Sequence, residues 1–166
     1  MISVTDIEKY SDSRGYLSPV WKKGDKDYPE FVEDRLSVSK KYVLRGLHGD
    51  FTTGKLFIPV RGRFEFFAQE MNGSDSIFIE LNSEKPQAVY VPPGYVNGHL
   101  CLGDRDNILL YKWTRYYDGP EGQVTVAWND PILNVPWSTA APVLSDRDKL
   151  ADSYEDTINK FYSGRL

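Results

Sequence analysis

The sequence predicts an all-β domain, a sandwich or barrel, finished by one short C-terminal helix. Three observations lead there. From residue 16 to residue 127, short β-prone runs follow one another at even spacing. Between them stand Gly, Asn, Asp and Pro clusters such as "MNGSDS" and "VPPGYVNG", the punctuation of turns. In the tail the apolar period then lengthens from two to between three and four, the period of a helix.

The predicted strands are, in order, "YLSPVW", "FVEDRLSVS", "VLRGLHGD", "KLFIPV", "RFEFFAQ", "SIFIELN", "QAVYVPP", "NILLYKWTRYY" and "QVTVAW". Most are rich in β-branched and aromatic residues, and several alternate cleanly. In the sixth, Ile77, Ile79 and Leu81 oppose Phe78 and Glu80. In the eighth, Leu109, Tyr111 and Trp113 share one face, and Leu110, Lys112 and Thr114 the other. The tail "SDRDKLADSYEDTINKFY" carries Leu150, Tyr154, Ile158 and Phe161 at spacings of four, four and three, which predicts one helix over about 145–162.

Composition narrows the function. A chain of 166 residues has room for one domain with a proper core, so 1–166 reads as a single unit. The formal charge of -4 comes from 20 basic and 24 acidic residues mixed along the chain. That mixture offers no basic stripe for nucleic acid and no polybasic run for a membrane surface. An anionic ligand must therefore be held by a few placed cations. The N-terminus "MISVTDIEKY" has neither a charged lead nor an apolar run, and the expected location is cytoplasmic. The single cysteine, Cys101, lies between apolar neighbours and reads as a buried, inert thiol.

Histidine is the scarcest reactive residue, with only His48 and His99. Two histidines cannot build a metal site of three histidines and a glutamate. A facial triad of His48, Asp50 and His99, as in non-haem iron oxygenases, stays open on spacing alone. His48 taken singly reads as a half-buried strand residue bonded to a backbone carbonyl. Arg45 and Lys55 lie within ten residues of it, and cations converging on one imidazole suit a site for an anionic substrate. Strict alternation sends Arg45 and His48 to opposite faces, so their cooperation requires a bulge, which Gly46 permits. Tyr111 is a candidate tyrosine partner, but a core filler with its hydroxyl at the rim is the commoner role for a strand tyrosine, the more so in a chain with eleven of them. In "SDRD", Ser145 is placed to cap the final helix with Asp148 three residues on.

Seven stretches in order resemble the dTDP-4-dehydrorhamnose 3,5-epimerase family of nucleotide-sugar epimerases. They are "DSRGYL", "SVSKKYVLRGLH", "GKLFIPVRGRF", "VPPGYVNGH", "LLYKWTRYYDGPEG", "VAWNDPILNVPW" and "PVLSDRD", spanning Asp12 to Asp148. The resemblance implies a cupin-type jelly roll, a double-stranded β-helix, that forms a homodimer and needs neither cofactor nor metal. It implies that His48 is a base supported by Asp148, and that Tyr111 is the acid. Arg14, Arg45 and Lys55 match positions that contact the substrate or its diphosphate, Tyr117 matches a tyrosine near the sugar, and Asn97 stands at a sugar-binding position.

The implied substrate is a nucleotide-linked 4-keto sugar. Its C3 and C5 hydrogens are acidified because the carbanion left behind delocalises onto the carbonyl oxygen as an enolate. Free imidazole has a pKa of about 6.5, so near neutrality it is largely unprotonated and fit to act as a base. Inversion then needs an acid across the ring.

Two departures from the family pattern stand out. The family reads "PPGFAHGF" where this chain has "PPGYVNGHL", so Asn97 replaces a histidine and His99 follows two residues later. Positions associated with thymidine are occupied by Leu17, Pro19, Glu33, Asp34 and Arg35. That leaves the nucleotide open between dTDP and GDP, the latter as in similar epimerases of GDP-4-keto-heptose pathways for bacterial capsules. Inversion at C3 alone, 3,4-ketoisomerisation, and a non-catalytic sugar-nucleotide-binding jelly roll are the other readings.

Overall fold

A computed structural model describes residues 1–163. The chain opens with β1 (Ser3–Asp6), a small hairpin of β2 (Tyr10–Asp12) and β3 (Gly15–Leu17), and a long irregular crossing to β4 (Glu33–Ser39). There follow β5 (Leu44–Asp50), β6 (Lys55–Arg61), β7 (Arg63–Glu70), β8 (Ser76–Asn82), β9 (Gln87–Val91), β10 (Tyr95–Cys101) and β11 (Asn107–Trp113). A very short β12 (Val124–Thr125) precedes two helices, α1 (Asp146–Lys149) and α2 (Tyr154–Tyr162).

The strands form two five-stranded antiparallel sheets, ordered β1-β9-β6-β11-β4 and β12-β5-β10-β7-β8. Their facing sides supply the core. Phe57, Val89, Val91 and Leu109 from the first sheet meet Phe64, Phe66 and Leu81 from the second, all buried. This is the jelly roll that the sequence resemblance implied. Deleting a buried phenylalanine from such a core costs about 3–5 kcal/mol, so Phe64 and Phe66, fully buried, anchor it.

Alternation in β8 holds as read: Ile77 and Ile79 pack against the core and Leu81 is buried, while Ser76, Phe78 and Glu80 are exposed. β10 escaped the sequence reading for a physical reason. All seven of its residues are buried, because the core covers one face and a second cluster, including Leu133, Trp137, Tyr154 and Ile158, covers the other. No polar–apolar rhythm survives, and the strand begins within the turn-like "PPGYVNG". β1 was missed as well, and the runs read at residues 16–21 and 123–128 are strand only at Gly15–Leu17 and Val124–Thr125.

The single C-terminal helix requires correction, because the segment forms two helices. Ser145 Oγ accepts from the Asp148 N–H at 3.1 Å and starts α1, while Ser153 Oγ accepts from the Asp156 N–H at 3.0 Å and starts α2. Between them Asp152 turns aside to the sheet: its carbonyl accepts from Ala127 N–H and its own N–H donates to the Thr125 carbonyl. Leu150, read as part of one apolar face, is 84% exposed as a result.

Candidate active site

The site begins with an irregularity in β5. Asn97 pairs with His48 and His99 with Arg45, so two residues of β5, Gly46 and Leu47, oppose the single Gly98 of β10. This is a β-bulge. Gly46 sits at φ 137°, and a Cβ there would lie 2.6 Å from Gly98 Cα. A Cβ on Gly98 would in turn meet Leu47 Cδ2 at 2.8 Å. The extra residue cancels the strand's alternation, so Arg45 and His48 line one cleft of about 420 Å³.

Asp148, on α1, reaches the same cleft. Its Oδ1 lies 2.6 Å from His48 Nε2. The carboxylate is buried, which alone would push its pKa up, but the His48 ring and its charge, the Ser145 hydroxyl and the Gly46 N–H together hold it below the usual carboxylate range. The helix cap uses the backbone N–H of residue 148 and leaves its side chain free for the histidine. With Nε2–H donating to Asp148, His48 keeps its Nδ1 lone pair for a proton.

Cations surround this pair. Lys55 is buried, and burial pulls its amine down to about 8, with Arg147 and Arg35 adding to the effect and Asp50 opposing it. Its Nζ lies 4.7 Å from the Trp113 ring centroid. Arg35 is held by Glu33 at 2.6 Å, with its guanidinium carbon 4.1 Å from the Tyr117 ring centroid and 4.8 Å from that of Trp113. Arg147 Nε donates to Thr125 Oγ1 at 2.7 Å. Arg35, Arg45, Lys55 and Arg147 thus give an acidic chain a cationic cleft.

Tyr111 and Tyr117 both line the cleft, Tyr111 packed on Phe57 with ring centroids 5.5 Å apart. Asn97 lines it too, with Nδ2 donating to the His48 carbonyl at 3.1 Å. Of the expected site residues only Arg14 lies elsewhere. It sits on the exposed β2–β3 hairpin, paired with Asp12 at 2.5 Å.

The facial-triad reading does not match the geometry. Asp50 Oδ1 accepts from the Thr52 and Thr53 N–H groups at 3.0 and 2.8 Å, closing the turn after β5, and His48 Nε2 is engaged by Asp148. Among the described residues no three His, Cys, Asp or Glu side chains gather as they would to hold a metal ion. Cys101 is buried, and burial pushes its thiol up to about 11, as an inert thiol requires.

Sequence reasoning missed Arg35, Trp113 and Arg147 as site residues. Arg35 carried a usable signal. In the alternating β4 it shares the side of Ser37 and Ser39, opposite the exposed Leu36 and Val38, and it stands across from Tyr111. Arg147 carried none beyond its adjacency to Asp148.

A jelly roll holding a carboxylate-oriented imidazole, two tyrosines and four cations in one cleft carries the groups that acid–base chemistry on an anionic, oxygen-rich ligand needs. A family model described as dTDP-4-dehydrorhamnose 3,5-epimerase matches residues 2–156, and the chain belongs to that family. The dTDP-4-dehydrorhamnose 3,5-epimerase of Neisseria gonorrhoeae is 32% identical over 151 residues, covering 84% of this chain and 45% of that protein's length. The crystal structure of a dTDP-6-deoxy-D-glucose-3,5-epimerase from Legionella pneumophila, in complex with dTDP-4-keto-L-rhamnose, is 27% identical with a TM-score of 0.85, covering 93% of this chain and 88% of that one. A 3'-monoepimerase from Streptomyces bikiniensis in complex with dTDP-quinovose is 25% identical with a TM-score of 0.86, covering 99% and 88% respectively.

Proposed function

We propose that this protein is an isomerase that epimerises a nucleotide-diphosphate-linked 4-keto sugar through an enolate, at C3, C5 or both. The observation that carries this reading is the His48–Asp148 pair, 2.6 Å apart within a cleft that also holds Tyr111 and four cations. His48 Nδ1 takes the proton beside the ketone, and Asp148 stabilises the imidazolium that forms. Lys55 is the preorganised charge for the enolate oxygen, held dry against Trp113. Tyr111 returns a proton to the opposite face. Arg45, Arg35 and Arg147 are the cations for the diphosphate, with Tyr117 and Asn97 beside the sugar. No step requires a metal or an organic cofactor.

The two crystal structures named above hold dTDP sugars, whereas Glu33 and Arg35 here are occupied with each other and with Tyr117, whose N–H donates to Glu33 at 2.8 Å. Both dTDP and GDP sugars therefore belong in the assay. We also infer a homodimer. The outer face of the first sheet leaves Leu36, Val38 and Val60 at 59, 51 and 49% exposure beside the uncovered edge of β4, and Arg14, which does not line the cleft of its own chain, would be free to reach the cleft of a second copy. Among the described residues no helix is long and apolar enough to cross a membrane, and the lone buried thiol suits the cytoplasm.

The test is solvent exchange in D₂O with a panel of dTDP- and GDP-linked 4-keto sugars, followed by NMR. Deuterium at C3 and C5, abolished by His48→Asn, supports a 3,5-epimerase; deuterium at C3 alone makes it a 3-epimerase. Binding without exchange at either carbon refutes proton transfer and leaves a non-catalytic binding protein.

A further inference from the structure

The second histidine has no part in the chemistry above, yet it lines the same cleft. β10 runs in regular register against β7, so Asn97 and His99, two residues apart, share a face. His99 lies across from Arg45, beyond the bulge from His48. It is 4% exposed, with Phe64 edge-on at 5.8 Å and Cys101 nearby in the strand. Its Nε2 is buried and has no hydrogen-bond partner.

A buried ring nitrogen without a partner costs stability and calls for an explanation. Packing does not supply one, since a phenylalanine would fill the place without the stranded nitrogen. Charge does not supply one either. Burial, with the charges of Arg45 and His48, pushes the ring down to about 3, so it stays neutral and offers one donor and one acceptor. A neutral partner in a cleft otherwise rich in cations is matched to a neutral oxygen rather than to a phosphate.

We propose that His99 is a substrate-binding residue: its neutral ring hydrogen-bonds a hydroxyl of the sugar at the buried end of the cleft and favours sugars that carry one there over their deoxy counterparts. The proposal rests on the epimerase reading of the cleft. It assigns this polar group, otherwise without a partner, to sugar selection.

The test is His99→Phe, assayed for kcat/KM by deuterium wash-in on the 4-keto sugar that the wild type turns over, together with its melting temperature. The expected result is a loss of about tenfold to a hundredfold in kcat/KM, the usual effect of stranding one neutral partner in a buried site, with a melting temperature equal to or above that of the wild type. His99→Asn and His99→Gln, whose amide nitrogens mimic Nδ1 and Nε2, should recover part of the loss. His99→Leu gives the same comparison if the phenylalanine variant folds poorly. Wild-type kcat/KM in His99→Phe overturns the proposal, and so does activity lost in all variants in step with melting temperature, which assigns the residue to packing. A wild type that exchanges none of the sugars overturns the epimerase reading, and this proposal with it.

Discussion

Asp148→Asn separates two roles that one residue was expected to combine. The helix-starting bond is made by the backbone N–H of residue 148 to Ser145 Oγ, so the substitution leaves the cap intact. An asparagine oxygen can still accept from His48 Nε2–H, so the fold should hold and the melting temperature should move little. What is lost is the negative charge facing the imidazolium. For charge centres about 4 Å apart at an effective dielectric of about 20, that attraction is about 4 kcal/mol, or roughly three powers of ten in rate. His48 remains 28% exposed, so water recovers part of it, and the expected fall in kcat is about 10²- to 10³-fold. KM should change little, because Asp148 acts through the histidine and is a positioning residue. The assay is deuterium wash-in beside the ketone, with thermal melts by circular dichroism. A kcat within threefold of the wild type refutes the pairing as a catalytic device, and a comparable loss of kcat with a sharply lowered melting temperature makes Asp148 structural.

Lys55 sets an upper pH limit. Its charged form serves the enolate and burial brings the amine down to about 8, so kcat/KM should fall as pH rises through about 8, and Lys55→Arg should carry residual activity to higher pH; a wild-type profile flat to about pH 9.5 refutes this. Because the folded pKa lies below the ordinary 10.5, the unfolded chain holds more protons between about pH 8 and 10.5, and the contribution of Lys55 to stability rises with pH across that window. Tyr111→Phe should keep deuterium exchange beside the ketone while inversion drops about 10²-fold or more, measured as the ratio of wash-in to epimer formed; equal losses of both would reassign the acid. Gly46→Ala drives a Cβ to within 2.6 Å of Gly98 Cα at a φ of 137°, so activity and melting temperature should fall together; a variant of wild-type stability would show that the bulge tolerates a side chain.

The fold was legible where one face of a strand is dry and the other wet. β8 announced itself through Ile77, Ile79 and Leu81. β10, buried on both faces, offered no alternation, although it carries Asn97 and His99 and pairs with the base strand. The tail was legible in type but not in continuity. Leu150 fits the helical period and is solvent-exposed, because Ser153 restarts the helix and Asp152 bonds to the backbone of residues 125–127. The site was readable where chemistry is scarce, through His48 and the cations near it. Arg147 and Trp113 were not, since common residue types far apart in sequence acquire a role only when two sheets and a short helix meet.

The need for a bulge was itself legible, from the parity of Arg45 and His48 and from the glycine between them. The structure adds what holds that bulge in place. The Asp148 carboxylate lies 2.6 Å from the His48 ring nitrogen, and the Gly46 N–H, the backbone group at the irregularity, adds to what holds that carboxyl below its usual range. One buried anion thus ties helix α1 to the distorted strand and orients the His48 ring on it. A regular β5 would let either Arg45 or His48 face the cleft, but not both. The departure from strand periodicity, tolerated because Gly46 and Gly98 leave room for each other, is therefore the feature that brings Arg45, His48 and Asp148 into one cleft.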